Sequence, residues 1–324
     1  MSEALVLEGV TKRYGKFTAV DDFYMRMPAG EVLGFLGPNG AGKTTTLRMI
    51  MSIIYPDSGR ITVLGRPRAA DVKDRIGYLP EERGLYRKMT VQDTLAYFGR
   101  LKGLRGSSLN RAIDASLAGI GLSEWRRKRV EALSKGMSQK LQFVTAVMHQ
   151  PDLLILDEPF SGLDPLNVDL LERIIADLRQ AGATVIFSTH QMNQAERLCD
   201  RIVLINRGRK VVDGTVNEVR AQFADRIAVL DAEGDLRPLA RAPGVSRAHL
   251  TAGHARLELT DGADPNAVLQ LAMQTARVLR FELVRPDLQE IFVRLVGGNG
   301  AGPENGAQHT LQPAAGRASE VTYG

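Results

Sequence analysis

Residues 37–45, Gly-Pro-Asn-Gly-Ala-Gly-Lys-Thr-Thr, have the types and spacing needed to hold a polyphosphate. They fit G-x-x-x-x-G-K-[ST], with Gly37, Gly42, Lys43 and Thr44 in the fixed places and Pro38, Asn39, Gly40, Ala41 and Thr45 completing the loop. Glycines let successive backbone N–H groups turn inward around an anion. A following helix adds the partial positive charge of its N-terminus. Lys43 would reach the β- and γ-phosphates, and the Thr44 hydroxyl would ligand Mg²⁺. A glycine-rich turn that binds nothing is the alternative. Against it stand an apolar, strand-like run at Val32–Leu36 and a helix-like stretch over 45–54, the context such a loop requires.

A second chemical signal follows the apolar run 153–156, which ends in Asp157 and Glu158. A buried strand ending in acids places them at the carboxyl edge of a sheet, where ligands of α/β folds bind. Asp157 would hold Mg²⁺, directly or through water, and Glu158 would orient or deprotonate an attacking water. Alone, the pair is compatible with an ordinary strand-to-loop transition; with a phosphate loop upstream it becomes a candidate catalytic pair. Ser134, in Leu-Ser-Lys-Gly-Met at 133–137, is placed to cap a helix over 139–149. It could equally form, with the Gly136 N–H, a second anion site.

The elements that must position these groups fall into blocks. Residues 4–30 alternate apolar and polar and, with 61–64, predict a half-exposed antiparallel sheet. Residues 76–79 are a short strand ending at Pro80. Helical periodicity then dominates, indicating an inserted α-helical subdomain at about 85–150. Strong strands return at 153–156, 184–188 and 202–205, with an amphipathic helix at Pro165–Gln180 between the first two. Apolar strands alternating with helices predict a parallel sheet covered on both faces, hence an α/β core. A turn at 206–209 leads into a further strand. From about 225 to 296, a strand, helix, strand, strand, helix, strand, helix order predicts a small α+β domain compatible with a split βαβ unit. The boundaries are read as 1–222, 223–296 and a disordered tail at 297–324, rich in Gly, Pro, Asn and Gln.

Composition sets limits. The chain has 324 residues, 44% hydrophobic and 24% charged, as expected of a globular protein with a full core. Its net charge of +5 is too mild to argue for nucleic acid. The single cysteine, Cys199, permits no intramolecular disulfide and reads as a buried structural thiol. Neither a signal peptide nor a run of 18 apolar residues is evident, so a membrane role would need a separate partner.

Taken together, the phosphate loop, the Leu-Ser-Lys-Gly-Met segment and the Asp157–Glu158 strand resemble the nucleotide-binding subunit of an ABC transporter over about residues 4–220. The resemblance implies a P-loop NTPase (RecA-like) core that hydrolyses ATP with Mg²⁺. It implies two subunits arranged head to tail, Ser134 and Gly136 of one completing the phosphate loop of the other. Lys135 and Met137 depart from the family's LSGGQ signature, while the phosphate-facing Ser134 and Gly136 are retained. By the same resemblance, Tyr14 stacks on adenine, Asp164 in Ser161–Asp164 belongs to the loop linking the two sites, and His190 contacts the γ-phosphate. On their own, Tyr14 reads as a strand aromatic, Asp164 as a helix cap and His190 as a strand-end histidine. The family's glutamine after the strand at 76–79 is here Glu81, a harder Mg²⁺ ligand. The segment 80–86 and the signature also resemble a sodium-exporter-like bacterial subfamily, whose C-terminal extension ends Pro-x-Leu-x-Glu-Ile-Phe, here 286–292. Such subunits dock an integral membrane permease from the cytoplasmic face of the inner membrane. The other reading is an ABC-type ATPase working without a permease; the chain lacks the long coiled coil or zinc cysteines that usually accompany it. The basic run at 125–129 is either a solvated face or a contact for headgroups or a permease.

Overall fold

The computed structural model describes residues 2–82, 84–223, 227–260 and 262–297. The expected junction at Asp225 and the expected tail beyond residue 297 lie outside these. Strands β1 (Glu3–Tyr14) and β2 (Phe17–Pro28) form a hairpin, β3 (Val32–Leu36) runs into helix α1 (Lys43–Ile50), and β4 (Ser58–Val63) returns to pair with β1. The three-stranded antiparallel sheet has the order β2-β1-β4. Strand β5 (Ile76–Leu79) precedes the helical insertion: α2 (Val91–Leu101), α3 (Gly106–Gly119) and α4 (Lys135–Val147). The chain then alternates β6 (Leu153–Asp157), α5 (Pro165–Gln180), β7 (Thr184–Thr189), α6 (Met192–Leu198), β8 (Arg201–Asn206) and β9 (Arg209–Thr215), ending the core with α7 (Val216–Gln222).

The central sheet has the order β5-β6-β7-β3-β8-β9, parallel except for β9. Strands β3, β6 and β7 are buried at every residue, as strands covered on both faces must be. One core fills the space between the antiparallel sheet, α1 and the central sheet, where Phe23 meets Phe35 edge to face. A second lies between the other face and α4 and α5. The helical insertion has its own core around Leu95, Ile113 and Leu141.

The C-terminal domain contains β10 (Ile227–Gly234), β11 (Val245–Thr251), β12 (His254–Leu259), α8 (Pro265–Thr275), β13 (Ala276–Leu283) and α9 (Leu288–Gly297). Its antiparallel sheet has the order β11-β12-β10-β13, the strand order of a split βαβ unit.

Three expected helices differ in extent. Helix α1 begins at Lys43 and stops at Ile50, because Ser52 turns left-handed (φ +57°) and the Ile53 N–H bonds back to the Arg48 carbonyl. Helix α4 begins at Lys135, immediately after its cap, so the last three residues of the signature segment are already helical. The first helix expected of the C-terminal domain is only a 3₁₀ turn, Arg237–Arg241, ended at Ala242, whose extended conformation is the one favoured before Pro243.

Candidate nucleotide site

The phosphate loop joins β3 to α1 and is held from behind. The β8–β9 hairpin turns through Arg207 (φ +49°) and Gly208 (φ +77°), both left-handed as a two-residue hairpin turn requires. Gly208 then donates its N–H to the Ala41 carbonyl at 2.9 Å. Gly42 adopts φ +110°, and a Cβ there would lie 2.5 Å from the Ala19 carbonyl oxygen. Only glycine fits that conformation and that approach. Gly37 is enclosed in the same way, its Cβ position 2.3 Å from the Ile205 carbonyl oxygen. Gly37 and Ala41 therefore build the loop's inner side. Pro38, Asn39, Gly40, Gly42, Lys43, Thr44 and Thr45 line a cavity of about 460 Å³.

Tyr14, Glu81 and Glu158 line the same cavity. Tyr14 is half exposed, with the Lys12 ammonium 5.7 Å from its ring centroid. Lys43 is buried and donates to the carbonyls of Gly37 at 2.8 Å and Pro38 at 3.3 Å. Its Nζ also lies 3.4 Å from Glu158 Oε1. Glu158 sits in the left-handed region at φ +48°, a conformation that costs a non-glycine residue energy and clusters at functional sites. Its carboxylate receives His190 Nδ1 at 3.1 Å to each oxygen. The structure thus brings Lys43, Glu158 and His190 into one contact chain.

Asp157 lies beneath the loop, 1% exposed. Its Oδ1 accepts from the Ser188 hydroxyl at 2.5 Å and from the Thr44 hydroxyl at 3.3 Å. Oδ2 is buried without a hydrogen-bond partner. Burial is the chief cause that raises the Asp157 carboxyl above its ordinary value, with the Glu158 charge adding to it and the bonds from Ser188 and Thr44 opposing it. An orphaned carboxylate oxygen beside a hydroxyl is a hard-oxygen donor set that fits Mg²⁺. Among the described residues no cluster of three metal-ligating side chains occurs; Mg²⁺ needs none, because it retains waters and takes substrate phosphates.

Two contributors escaped the sequence reading. Phe17 lines the cavity beside Tyr14, its partner across the β1–β2 hairpin, and is 61% exposed. An aromatic just past the Gly15–Lys16 turn was the available signal. Ser188 bonds Asp157 and also accepts the Glu158 N–H at 2.9 Å. A hydroxyl near the end of the strand paired with the acid-bearing strand could have pointed to it.

Ser134, Gly136 and Asp164 do not line this cavity. Ser134 caps α4, its Oγ accepting the Met137 N–H at 3.2 Å, and Asp164 caps α5. A Cβ on Gly136 would lie 3.1 Å from Asn167 Nδ2 and 3.9 Å from Asp164 Oδ2, so the two loops pack on each other. In the basic run, Arg126 bonds Gln92 and Asp114, and Arg129 pairs with Glu131, as expected of a surface face. The Cys199 thiol is pushed well above its ordinary value, chiefly by burial, which disfavours the nucleophilic thiolate.

A phosphate loop between a buried strand and a helix, with acids at the end of another strand of the same parallel sheet, defines an ATP-binding α/β domain. Residues 20–161 match the family model described as "ABC transporter", and residues 214–296 match "ATP-binding protein DrrA1-3-like, C-terminal domain". An ABC transporter ATP-binding protein of Bacillus subtilis, YhaQ, is 39% identical over 293 residues, covering 90% of this chain and 98% of its own. The linearmycin resistance ATP-binding protein of B. subtilis is 33% identical, covering 90% and 98%. The Nod factor export ATP-binding protein I of Sinorhizobium fredii is 36% identical, covering 91% and 86%. A solved ATP-binding subunit of an ABC transporter superposes with a TM-score of 0.64 at 32% identity, covering 68% of this chain and 93% of that one. The chain belongs to the ABC transporter ATP-binding proteins.

Proposed function

We propose that the protein hydrolyses ATP to power export through a separate membrane permease. The observation that carries this reading is the contact chain Lys43–Glu158–His190, whose first two members line the phosphate-loop cavity. Tyr14 and Phe17 offer aromatic faces to the adenine. Lys43 and the loop N–H groups hold the phosphates. When bound, Mg²⁺ neutralises charge on the β- and γ-phosphates, and Thr44 and Asp157 are the residues that would hold it. Glu158 orients an attacking water and accepts its proton as the water oxygen bonds the γ-phosphorus and the bond to ADP breaks. Lys43 and His190 keep the Glu158 carboxylate in place, and His190 offers a donor to the γ-phosphate.

The signature residues Ser134 and Gly136, with Asp164, lie outside this cavity and suit completion of a second subunit's site in a homodimer. ATP binding would then close the dimer and hydrolysis release it, a population shift set by the γ-phosphate. Among the described residues no helix is long and apolar enough to cross a membrane. Attachment to the cytoplasmic face of the inner membrane would therefore run through the permease. Exposed Tyr86 and Tyr97, edge to face at 5.7 Å on the helical insertion, offer a docking surface. Relatives named for export and resistance support the direction of transport.

The test uses Glu158→Gln. The variant is expected to bind ATP like wild type, to lose turnover by 10²-fold or more, and to retain a multi-span membrane protein on affinity purification with ATP and Mg²⁺. Wild-type turnover would remove Glu158 from the mechanism. Recovery with soluble partners alone would remove the permease.

A further inference from the structure

His190 is the last residue before a turn into α6, so its place depends on that helix as well as on β7. The turn is closed by the Gln191 N–H bonding Thr189 Oγ1 at 3.0 Å, and by the Thr189 hydroxyl bonding Gln194 Oε1 at 3.3 Å. Movement of α6 is therefore passed to His190 with little slack.

The C-terminal domain grips α6. Helix α9 packs on it, with Leu288 and Ile291 each 2% exposed in a cluster containing Met192, Ala195 and Leu36. Leu36 is the residue that enters the phosphate loop. Glu196 of α6 accepts the Leu288 N–H at 2.8 Å, satisfying one of the orphan donors at the start of α9. On the other side, Arg220 donates to the Pro286 carbonyl at 3.2 Å. Helix α9 is tied in turn to its own sheet: Glu290 bonds Arg256, and Arg294 lies 3.7 Å from Glu258. An unbroken set of contacts runs from the C-terminal sheet through α9 and α6 to His190 and Glu158.

We infer that the C-terminal domain is a positioning element for hydrolysis, with Glu196, Leu288 and Ile291 holding α6 so that His190 meets Glu158. The inference rests on the ATPase reading above. Glu196 is bonded to Leu288 and does not line the cavity. Its loss should therefore act on the chemical step and leave nucleotide binding intact.

The experiment compares wild type, Glu196→Ala and Glu196→Gln for ATP turnover, fluorescent-ATP binding and amide hydrogen exchange over 189–198. Glu196→Ala is expected to lower kcat about fivefold, the equivalent of one lost hydrogen bond. KM and binding should stay within about twofold, because the contact is made equally in free and bound states. Exchange over 189–198 should rise. Glu196→Gln keeps an oxygen acceptor and should restore kcat. Ile291→Val, a mild change in the same cluster, should move kcat in the same direction by less. Unchanged kcat and exchange in Glu196→Ala, or KM rising in step with a fall in kcat, would overturn the inference. A wild type that binds but never hydrolyses ATP would defeat the ATPase reading instead, and the exchange data would still decide whether Glu196 holds the turn.

Discussion

Gly77 in β5 is a position where one methyl group should cost stability through space alone. Its backbone is outside the left-handed region, so alanine meets no conformational objection. The objection is spatial. A Cβ would lie 2.2 Å from the Ala146 carbonyl oxygen of α4, 2.8 Å from Leu154 Cδ1 and 3.1 Å from Pro151 Cγ. Restoring ordinary contact to the Ala146 carbonyl requires α4 and β5 to part by about 1 Å. Overpacking of this kind costs about 1–3 kcal/mol, and here the nearest neighbour is backbone, which cannot swing aside. At the upper end, about 3 kcal/mol lowers Tm by roughly 6–12 °C. Thermal unfolding of purified Gly77→Ala is the assay. Gly119→Ala, at the end of α3 with nothing within 4 Å of its Cβ position, is the control and should match wild type or exceed it slightly. The displacement also moves α4, which carries Ser134 and Gly136, so ATP turnover should fall at temperatures where the variant is still folded. A Tm for Gly77→Ala within a degree of wild type would refute the packing argument.

Other expectations follow from the charged groups. The raised Asp157 carboxyl means that the folded state holds its proton more tightly than the unfolded chain does. Its stability contribution is therefore greatest in acid and is lost as pH rises through the folded value. Asp157→Asn should raise the Tm of nucleotide-free protein at neutral pH while abolishing Mg²⁺-dependent hydrolysis; a lowered Tm would contradict this. His149 is held down to about 4, chiefly by burial and then by the Lys102 charge. Its stabilisation is complete above the unfolded value of 6.5 and is lost as pH falls from 6.5 towards 4, so His149→Gln should flatten the Tm profile across that window, and parallel profiles would count against it. Glu81→Gln should keep ATPase activity but shift its Mg²⁺ titration, because an amide is a weaker and uncharged ligand; superimposable titrations would dismiss a metal role for Glu81.

The strands were legible because burial writes itself as apolar runs: residues 153–156 and 184–188 fall inside β6 and β7. The ends of helices were less so. Residues 51–54 carry helical composition, yet the left-handed Ser52 ends α1 before them. Within the site, Lys43, Asp157 and Glu158 were visible by motif, since their chemistry demands those types in order. Ser188 was not, because a serine at a strand end has no signature until the neighbouring strand is known to be β6. The contact between Glu196 and Leu288 was invisible for the same reason: ninety-odd residues separate partners that no local pattern connects.

The strand order of the central sheet also bears on how the chain is made. Strand β3, buried at all five residues, is paired only with β7 and β8. Those partners are synthesised about 150 residues later, a delay of roughly 8–30 s at ordinary elongation rates. During that interval the apolar strand that feeds the phosphate loop has no ladder to join. Loop closure over so long a separation is slow and leaves apolar edges open to wrong partners. The antiparallel hairpin of β1 and β2 can form at once, and its side chains Phe23 and Met25 already meet the β3 core. That hairpin, with α1 and β4 of the same core, is therefore an early shelter for β3. The sheet behind the phosphate loop cannot close until β7 and β8 have left the ribosome, so the appearance of ATP affinity on a nascent chain would test whether binding waits for that closure.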